Sequence, residues 1–364
     1  LERAPQQPVV ALRRGRRWVP QFTAQRLPGQ LAGQARFRPA GVYVLTGGFG
    51  GMGSALAREL AGSGAHLVLL GRHVDASLVA QLQSRGAQVL ALACDVSDAR
   101  VLGDALARAR SRFGRVDGVL HAAGVADQGG VVHNRDDASI ATAMAAKVQG
   151  ALALDAALAG HEPDFVVLFS SLGTVVPGSK FGQIGYAAAN EFLALFAAER
   201  TARRGGFTQA IDWDDWTEVG MTVMARQRWG LPALAASEGL TPAEGVAVLR
   251  RALASPHPRV SVCVRDLPSL LRLAGSVWTD AAAAPAGLPA SGEPAQPPEQ
   301  GGEGPDTRQR LAAVWREVLG VAEIGAQSHF FELGGHSLIA MRVLAYVREH
   351  FGVELGIAEV FEHP

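Results

Sequence analysis

Lysine is almost missing from this chain: of 34 basic residues among 364, only Lys147 and Lys180 are lysines. Arginine fills nearly every other basic position, so a lysine here is informative and the search for a catalytic ammonium is short. Cysteine is nearly as scarce. Cys94 and Cys263 sit in the apolar runs ALACDV and VSVCVRD with no metal-ligand partner at useful spacing, which excludes a disulfide framework or a thiolate metal site and reads as core positions in a reducing compartment. Net charge is absent as well, 34 acidic residues balancing 34 basic ones, so no field gathers nucleic acid or an anionic membrane. No apolar run is long enough to span a bilayer, and the first twenty residues, rich in Arg and Pro, do not resemble a signal peptide. These absences point to a cytoplasmic protein with neither nucleic-acid nor membrane partners.

What is present divides along the chain. The length exceeds most single cores, so two domains are the default. Both ends look cut, and the expectation is a piece of a larger polypeptide. From Gly41 to about Arg265, Val/Leu-rich runs alternate with helical stretches: VYVLTGG, SALARELAGSG, HLVLLGR, QVLALACDV, VDGVLHAAG, DFVVLFSS and FTQAIDW. Continuous apolar strands separated by helices imply a parallel sheet buried on both faces, a doubly wound α/β domain with right-handed crossovers. Residues 275–306 lose all periodicity and become Ala, Pro, Gly and Glu rich. That composition buries no core and reads as a linker with a mean span of about 30 Å and a reach on the order of 100 Å. Helical spacing returns in TRQRLAAVWREVLG and SLIAMRVLAYVREHFG, giving a small helical domain.

The first strand-to-helix turn, TGGFGGMGSALA, holds Gly48, Gly50 and Gly53 in G-x-G-x-x-G and, in a second register, Thr46, Gly47, Gly51 and Gly53 in T-G-x-x-x-G-x-G. Following a strand and opening a helix, it suits a dinucleotide pyrophosphate. The second strand ends in Arg72 rather than an acidic residue. A guanidinium there fits a 2′-phosphate and favours NADPH, although a solvated strand-end arginine is the plainer reading. Asp95, in CDVSD, is placed to meet adenine, and His121 to Gly124 close the fourth strand over the cofactor, with His121 positional rather than catalytic.

Tyr186, in GYAAANEF, stands four residues before Asn190 at what reads as the start of a helix. A phenol passes a proton near neutral pH only with help, because its ordinary pKa is about 10, and one nearby cation suffices. TGGFGGMG, CDVSD, HAAG, FSS and Y-x-x-x-N together resemble the short-chain dehydrogenase/reductase superfamily, and more narrowly the ketoreductase domains of modular polyketide synthases, over roughly residues 8–272. Most short-chain reductases place the lysine four after the tyrosine, whereas the synthase ketoreductases have asparagine there and draw the lysine from an earlier helix, the position Lys147 matches in AMAAKVQGAL. The resemblance implies that Tyr186 protonates the ketone, that Lys147 eases this and steadies the cofactor ribose, that Ser171 hydrogen-bonds the same oxygen, and that Asn190 positions Lys147 or a water. Ser170 is the neighbour that could be mistaken for Ser171. Met52, Val96 and Ala122 join the cofactor-binding set, and residues 39–274 form the catalytic domain. Residues 1–38, with the strand-like VVAL and RWVPQF, are remnant strands of an upstream subdomain, with a partner surface left exposed or a segment supplied from elsewhere.

Departures from the pattern bear on stereochemistry. Ala126-Asp127-Gln128 stands where Leu-Asp-Asp is diagnostic, Val175-Val176-Pro177 where a tryptophan is, and Asp212 where asparagine is usual in the segment DWDDWTEVGM. Product handedness is therefore not legible. Trp213 and Trp216 read as core and pocket wall, with a substrate lid after Met221; Lys180 reads as a solvated loop residue.

HFFELGGHSLIAM resembles the attachment motif of acyl or peptidyl carrier domains, covering roughly 307–364. The resemblance implies 4′-phosphopantetheine on Ser337, added by a phosphopantetheinyl transferase, at a helix start that suits a phosphate. His336, commoner in peptide carriers, leaves the neighbouring machinery open. The chain is expected to reduce a 3-ketoacyl thioester on its own carrier, among other megasynthase domains. A 2-ketoacyl group on a peptide synthetase carrier, or an idle docking module, are the alternatives.

Overall fold

In the computed structural model, the described residues are 9–27, 36–127, 136–176, 183–228, 233–272, 305–319 and 323–330, with scattered positions from 333 onward. Two compact units emerge, one formed by residues 23–224 and 233–266, the other by 1–22, 225–232 and 267–364.

In the second unit named, a hairpin pairs β1 (Ala11–Arg13) with β2 (Arg16–Trp18) in antiparallel register, Leu12 opposite Arg17. Arg14 and Gly15 both take positive φ, 49° and 73°, the backbone of a two-residue turn that matches the strand twist. Val9, Leu12, Trp18 and Phe22 are exposed.

The larger unit is a seven-stranded sheet, entirely parallel. Its elements in chain order are β3 (Val42–Thr46), α1 (Gly51–Ala61), β4 (His66–Gly71), α2 (Ala76–Ser84), β5 (Gln88–Ala93), α3 (Ala99–Phe113), β6 (Gly118–His121), α4 (Asp137–Ala145), α5 (Val148–Leu158), β7 (Phe165–Ser171), α6 (Ile184–Arg204), β8 (Thr208–Trp213), α7 (Met221–Arg228, of which only 221–224 belong to this unit), α8 (Pro242–Leu253) and β9 (Arg259–Ser261). Strand order is β5-β4-β3-β6-β7-β8-β9. The doubly wound expectation is met, and alternation along each strand shows why. Tyr43 and Leu45 of β3 join Leu67, Leu69 and Phe169 under α1, α2 and α8. Val42 and Val44 join Val68, Leu70 and Leu168 under α3, α5 and α6. Successive side chains point to opposite faces, so strands apolar at every position must be covered twice.

Because β3 lies between β4 and β6, the winding reverses there and opens a crevice at the carboxyl ends of β3 and β6, where α/β sheets hold ligands. At the opposite end, Asp117 accepts from the Val42 amide at 2.7 Å and pairs with Arg38 and Arg115. Cys94 is buried as expected, whereas Cys263 is only partly covered.

The C-terminal region contributes α9 (Pro305–Leu319), which opens two residues inside the expected linker. Its Val314 packs with Phe330, Ala340, Val343 and Val347, and Trp315 meets Phe330 edge-on at 5.1 Å. Residues 275–304 lie outside the described residues, as do Gly334, Gly335, His336, Ser337 and Leu338 of the attachment motif. No helix among the described residues is long and apolar enough to cross a membrane.

Candidate functional site

The glycine-rich loop connects β3 to α1 at the crevice. Gly47 holds φ +66°, and a Cβ on it would stand 2.9 Å from the backbone of Ala122, while one on Gly53 would stand 2.2 Å from the Gly47 carbonyl oxygen. Bare backbone at both positions lets the loop fold onto the exit of β6. Thr46 fixes the same junction from below, its Oγ1 accepting from the Ala123 amide at 3.3 Å and lying 2.7 Å from Nδ1 of His121. Gly48, Gly50, Gly51 and Met52 complete the turn and the first turn of α1. The amides of that first turn have no intrahelical partner, and no acidic residue stands among them, so the helix start is suited to an anion. These residues fit a dinucleotide.

Around this loop the parallel strands deliver the other expected cofactor residues: Arg72 after β4, Asp95 and Val96 after β5, Ala122 and Gly124 after β6. Asp95 is occupied locally, accepting from the amide and hydroxyl of Ser97 at 2.9 and 2.7 Å. These bonds, with the charge of Arg72 nearby, hold its carboxyl below the usual range. Arg72 is exposed.

Lys147 does not lie within a helix as AMAAKVQGAL suggests; it occupies the break between α4 and α5, as the N-cap residue of α5. That break aims it inward. Its ammonium is buried, donates to the Phe169 carbonyl at 2.5 Å and lies 5.8 Å from the centre of the Tyr186 ring. Burial lowers its pKa from 10.5 to about 8, and a helix start is also the unfavourable end for a cation. Gly124 makes room for its stem, since a Cβ there would stand 3.2 Å from Lys147 Cε. His121 is fully buried, and burial together with the Lys147 charge pulls its pKa to about 3. It stays neutral and gives no proton near neutral pH.

β7 ends in two serines that strand alternation sends to opposite faces. Ser170 donates to the Asn190 carbonyl at 3.1 Å and is thereby spent on the helix behind it. Ser171 Oγ accepts from the Gly173 amide at 3.2 Å, opening a single 3₁₀ turn, Leu172–Thr174, and keeps its own proton to donate. Tyr186 stands in the first turn of α6. Asn190, expected to position Lys147 or a water, donates its amide nitrogen to the Tyr186 carbonyl at 2.7 Å, and its buried Oδ1 has no partner among the described residues. Sequence reasoning missed Asp127 in this role. Its carboxylate accepts from the Tyr186 amide at 3.1 Å, a contact spanning 59 residues that no local pattern announces. Trp213 and Trp216 are core, meeting edge-on at 5.5 Å. Gln128, Pro177 and Lys180 lie outside the described residues. No cluster of metal ligands occurs among the described residues.

Comparison with known proteins agrees with this geometry. Residues 41–218 match the KR domain family and residues 309–364 the phosphopantetheine attachment site family. Polyketide synthase ThaG of Burkholderia thailandensis is 32% identical over an alignment covering 92% of this chain and 7% of that protein. The chain thus spans a small fraction of the relative it matches. Among solved structures, the PlmKR1 ketoreductase from the first module of phoslactomycin biosynthesis in Streptomyces sp. HK803 is 28% identical with a TM-score of 0.64, covering 75% of this chain and 63% of that one. An A1-type ketoreductase is likewise 28% identical, with a TM-score of 0.63 over 75% of this chain and 57% of that one. With its folded crevice and its two family matches in series, the chain belongs to the polyketide synthase family, as a ketoreductase domain joined to a carrier domain.

Proposed function

We propose that the chain reduces a 3-ketoacyl thioester, held on its own carrier domain, to the 3-hydroxyacyl thioester. One observation carries this reading: a buried ammonium, without a carboxylate partner among the described residues, lies 5.8 Å from the ring of Tyr186 beside the glycine-rich loop. Bound NADPH supplies the hydride that adds to the ketone carbon. Thr46, Gly47, Gly48, Gly50, Gly51, Met52 and Gly53 would hold its pyrophosphate, Asp95, Val96, Ala122 and Gly124 would line its path, and Arg72 would take the 2′-phosphate.

Tyr186 gives its phenolic proton to the carbonyl oxygen, so the ketone gains one hydride and one proton and becomes the alcohol. Lys147 stabilises the phenolate left behind, and Ser171 donates to the oxygen as charge grows on it. Asn190 anchors the Tyr186 turn, and its Oδ1, without a partner among the described residues, suits a water that returns the proton. Residues 39–274 act as the catalytic domain and 275–306 as the tether. Residues 307–364 form the carrier, with phosphopantetheine placed on Ser337 by a phosphopantetheinyl transferase in the cytoplasm, among other synthase domains. A tether holds the acyl group near millimolar effective concentration, so the cleft needs little intrinsic affinity for it.

The test is mass spectrometry of the full chain after loading Ser337 with a 3-ketoacyl phosphopantetheine and adding NADPH. The acyl group should gain two hydrogens, and Ser337→Ala should abolish loading while a free 3-ketoacyl thioester is still reduced. A folded, NADPH-bound chain that reduces neither substrate would favour the idle docking module.

A further inference from the structure

Ser171 and Tyr186 act on the same oxygen in the reading above, yet they ride on separate segments: the end of β7, where Ser171 caps the 3₁₀ turn, and the start of α6. Something must fix the spacing between those segments. Backbone pairing within the sheet fixes only one side: Ser171, the last residue of β7, pairs with Trp213 of β8, whereas the 3₁₀ turn that follows it and the start of α6 lie beyond the strand.

Arg259, the first residue of β9, reaches both. Its Nη2 donates to Thr174 Oγ1 at 3.1 Å, and Thr174 Oγ1 in turn donates to the Ser171 carbonyl at 2.9 Å. The same guanidinium forks onto Glu191, with Nη1 to Oε1 at 3.1 Å and Nη2 to Oε2 at 2.9 Å. Glu191 directly follows Asn190, whose amide holds the Tyr186 carbonyl. The remaining donor, Nε, meets Asp212 Oδ2 at 2.7 Å, and Ser261 donates to that oxygen at 2.8 Å. Asp212 is fully buried in β8. A carboxylate there, where the resemblance leads one to expect asparagine, anchors the guanidinium with a full opposite charge.

We propose that Arg259 is a positioning residue of the ketoreductase site, clamping the Ser171 turn to the Tyr186 helix from a buried Asp212 anchor. The proposal rests on the functional reading above. A planar guanidinium is suited to the task because its donors leave in fixed directions, so three partners on three elements are held in one plane. Lysine would keep the charge and lose the fork. The Arg200 cluster differs in kind: its partners Asp155, Glu162 and Thr208 touch neither serine turn nor tyrosine turn.

The full chain carrying Arg259→Lys, Glu191→Gln or both is assayed with NADPH and a free 3-ketoacyl thioester, alongside thermal midpoints. Arg259→Lys should lower kcat about tenfold with the KM for NADPH within about twofold, since misplacing reacting groups by about 1 Å can cost roughly a hundredfold. Glu191→Gln, on the outer side of the fork, should lower kcat about threefold, and the double variant should be no worse than Arg259→Lys, because coupled residues are not additive. Wild-type kcat in a folded Arg259→Lys, or a loss confined to the KM for NADPH, overturns the clamp. Should that variant fail to fold, Glu191→Gln decides alone, wild-type kcat again overturning it. An inactive wild-type chain would instead overturn the ketoreductase reading and the clamp with it.

Discussion

Two buried cations of the same α/β unit are treated in opposite ways. Arg200, 2% exposed, is surrounded: Asp155 at 2.9 Å, Glu162 at 2.6 Å and the Thr208 hydroxyl at 3.0 Å take its donors. Lys147, 4% exposed, has one backbone carbonyl and the face of a tyrosine. Burying a charge is costly unless it is paired, so a buried ion with carboxylates around it is consistent with architecture alone. One left without them holds a strained charge state that chemistry can use. The composition separates the same two roles: the rigid, permanently charged side chain for structure, the titratable one for the site.

Removing each cation should break the comparison most clearly. Tyr186→Phe and Lys147→Met should each lower kcat roughly a thousandfold, the range expected for a lost general acid or its support, with the fold retained by circular dichroism. Arg200→Met should leave kcat per folded molecule unchanged. Its effect should appear in denaturant titration instead, as a loss of about 2 kcal/mol, because the buried Asp155 loses one charge-assisted bond while keeping Arg203 and Arg204, and Glu162 is exposed. A folded Arg200→Met with a hundredfold lower kcat would erase the distinction.

The pH dependence sharpens it. Burial brings the Lys147 pKa down to about 8 from 10.5. Between those values the unfolded chain keeps a proton that the folded chain releases, so folding stability rises with pH across that window. Below about pH 8 the full cost of burying the ammonium is present. The wild-type protein should therefore gain on the order of 3 kcal/mol relative to Lys147→Met between pH 8 and 10.5, since each pKa unit is about 1.4 kcal/mol. Over the same range kcat should fall, as the ammonium that supports Tyr186 loses its proton. Parallel stability curves for the two proteins would contradict this.

Much of the fold was legible because the strands are apolar at every position, a pattern only a doubly covered parallel sheet accommodates. Tyr186, Lys147 and Ser171 were singled out through a family resemblance, and the alternation of β7 sends Ser170 to α6, where it donates to the Asn190 carbonyl. The rest depends on tertiary contacts. Nothing in AMAAKVQ marks a helix break at Lys147, for neither glycine nor proline interrupts it; the burial of the side chain makes the break visible only in three dimensions. Asn190 carries no sign that its amide turns to Tyr186. Arg259 and Asp212 meet across 47 residues and Arg259 and Thr174 across 85, separations at which no periodicity speaks.

The smallest effect concerns how Tyr186 is held. Helices α2, α3 and α4 are capped by Asp75, Asp98 and Asp136, each adjacent to the helix it serves, and α8 by Thr241 through a capping box with Glu244. Helix α6, like α1 and α5, has no such local cap, for Gln183 at its N-cap makes no side-chain bond; its Tyr186 amide is instead satisfied by Asp127 from beyond the exit of β6. A cap drawn from that distance ties the Tyr186 turn to the β6 end of the crevice, so in the proposed reaction it should influence rate as well as stability. Asp127→Ala and Thr241→Ala should each cost about 1 kcal/mol in denaturant titration, the usual worth of an N-cap. Only Asp127→Ala should also lower kcat, by roughly threefold to tenfold, because only it frees the backbone that carries the phenol. Asp127→Asn, which retains an acceptor oxygen, should recover most of both losses; equal kcat in the two alanine variants would reduce Asp127 to one more helix cap.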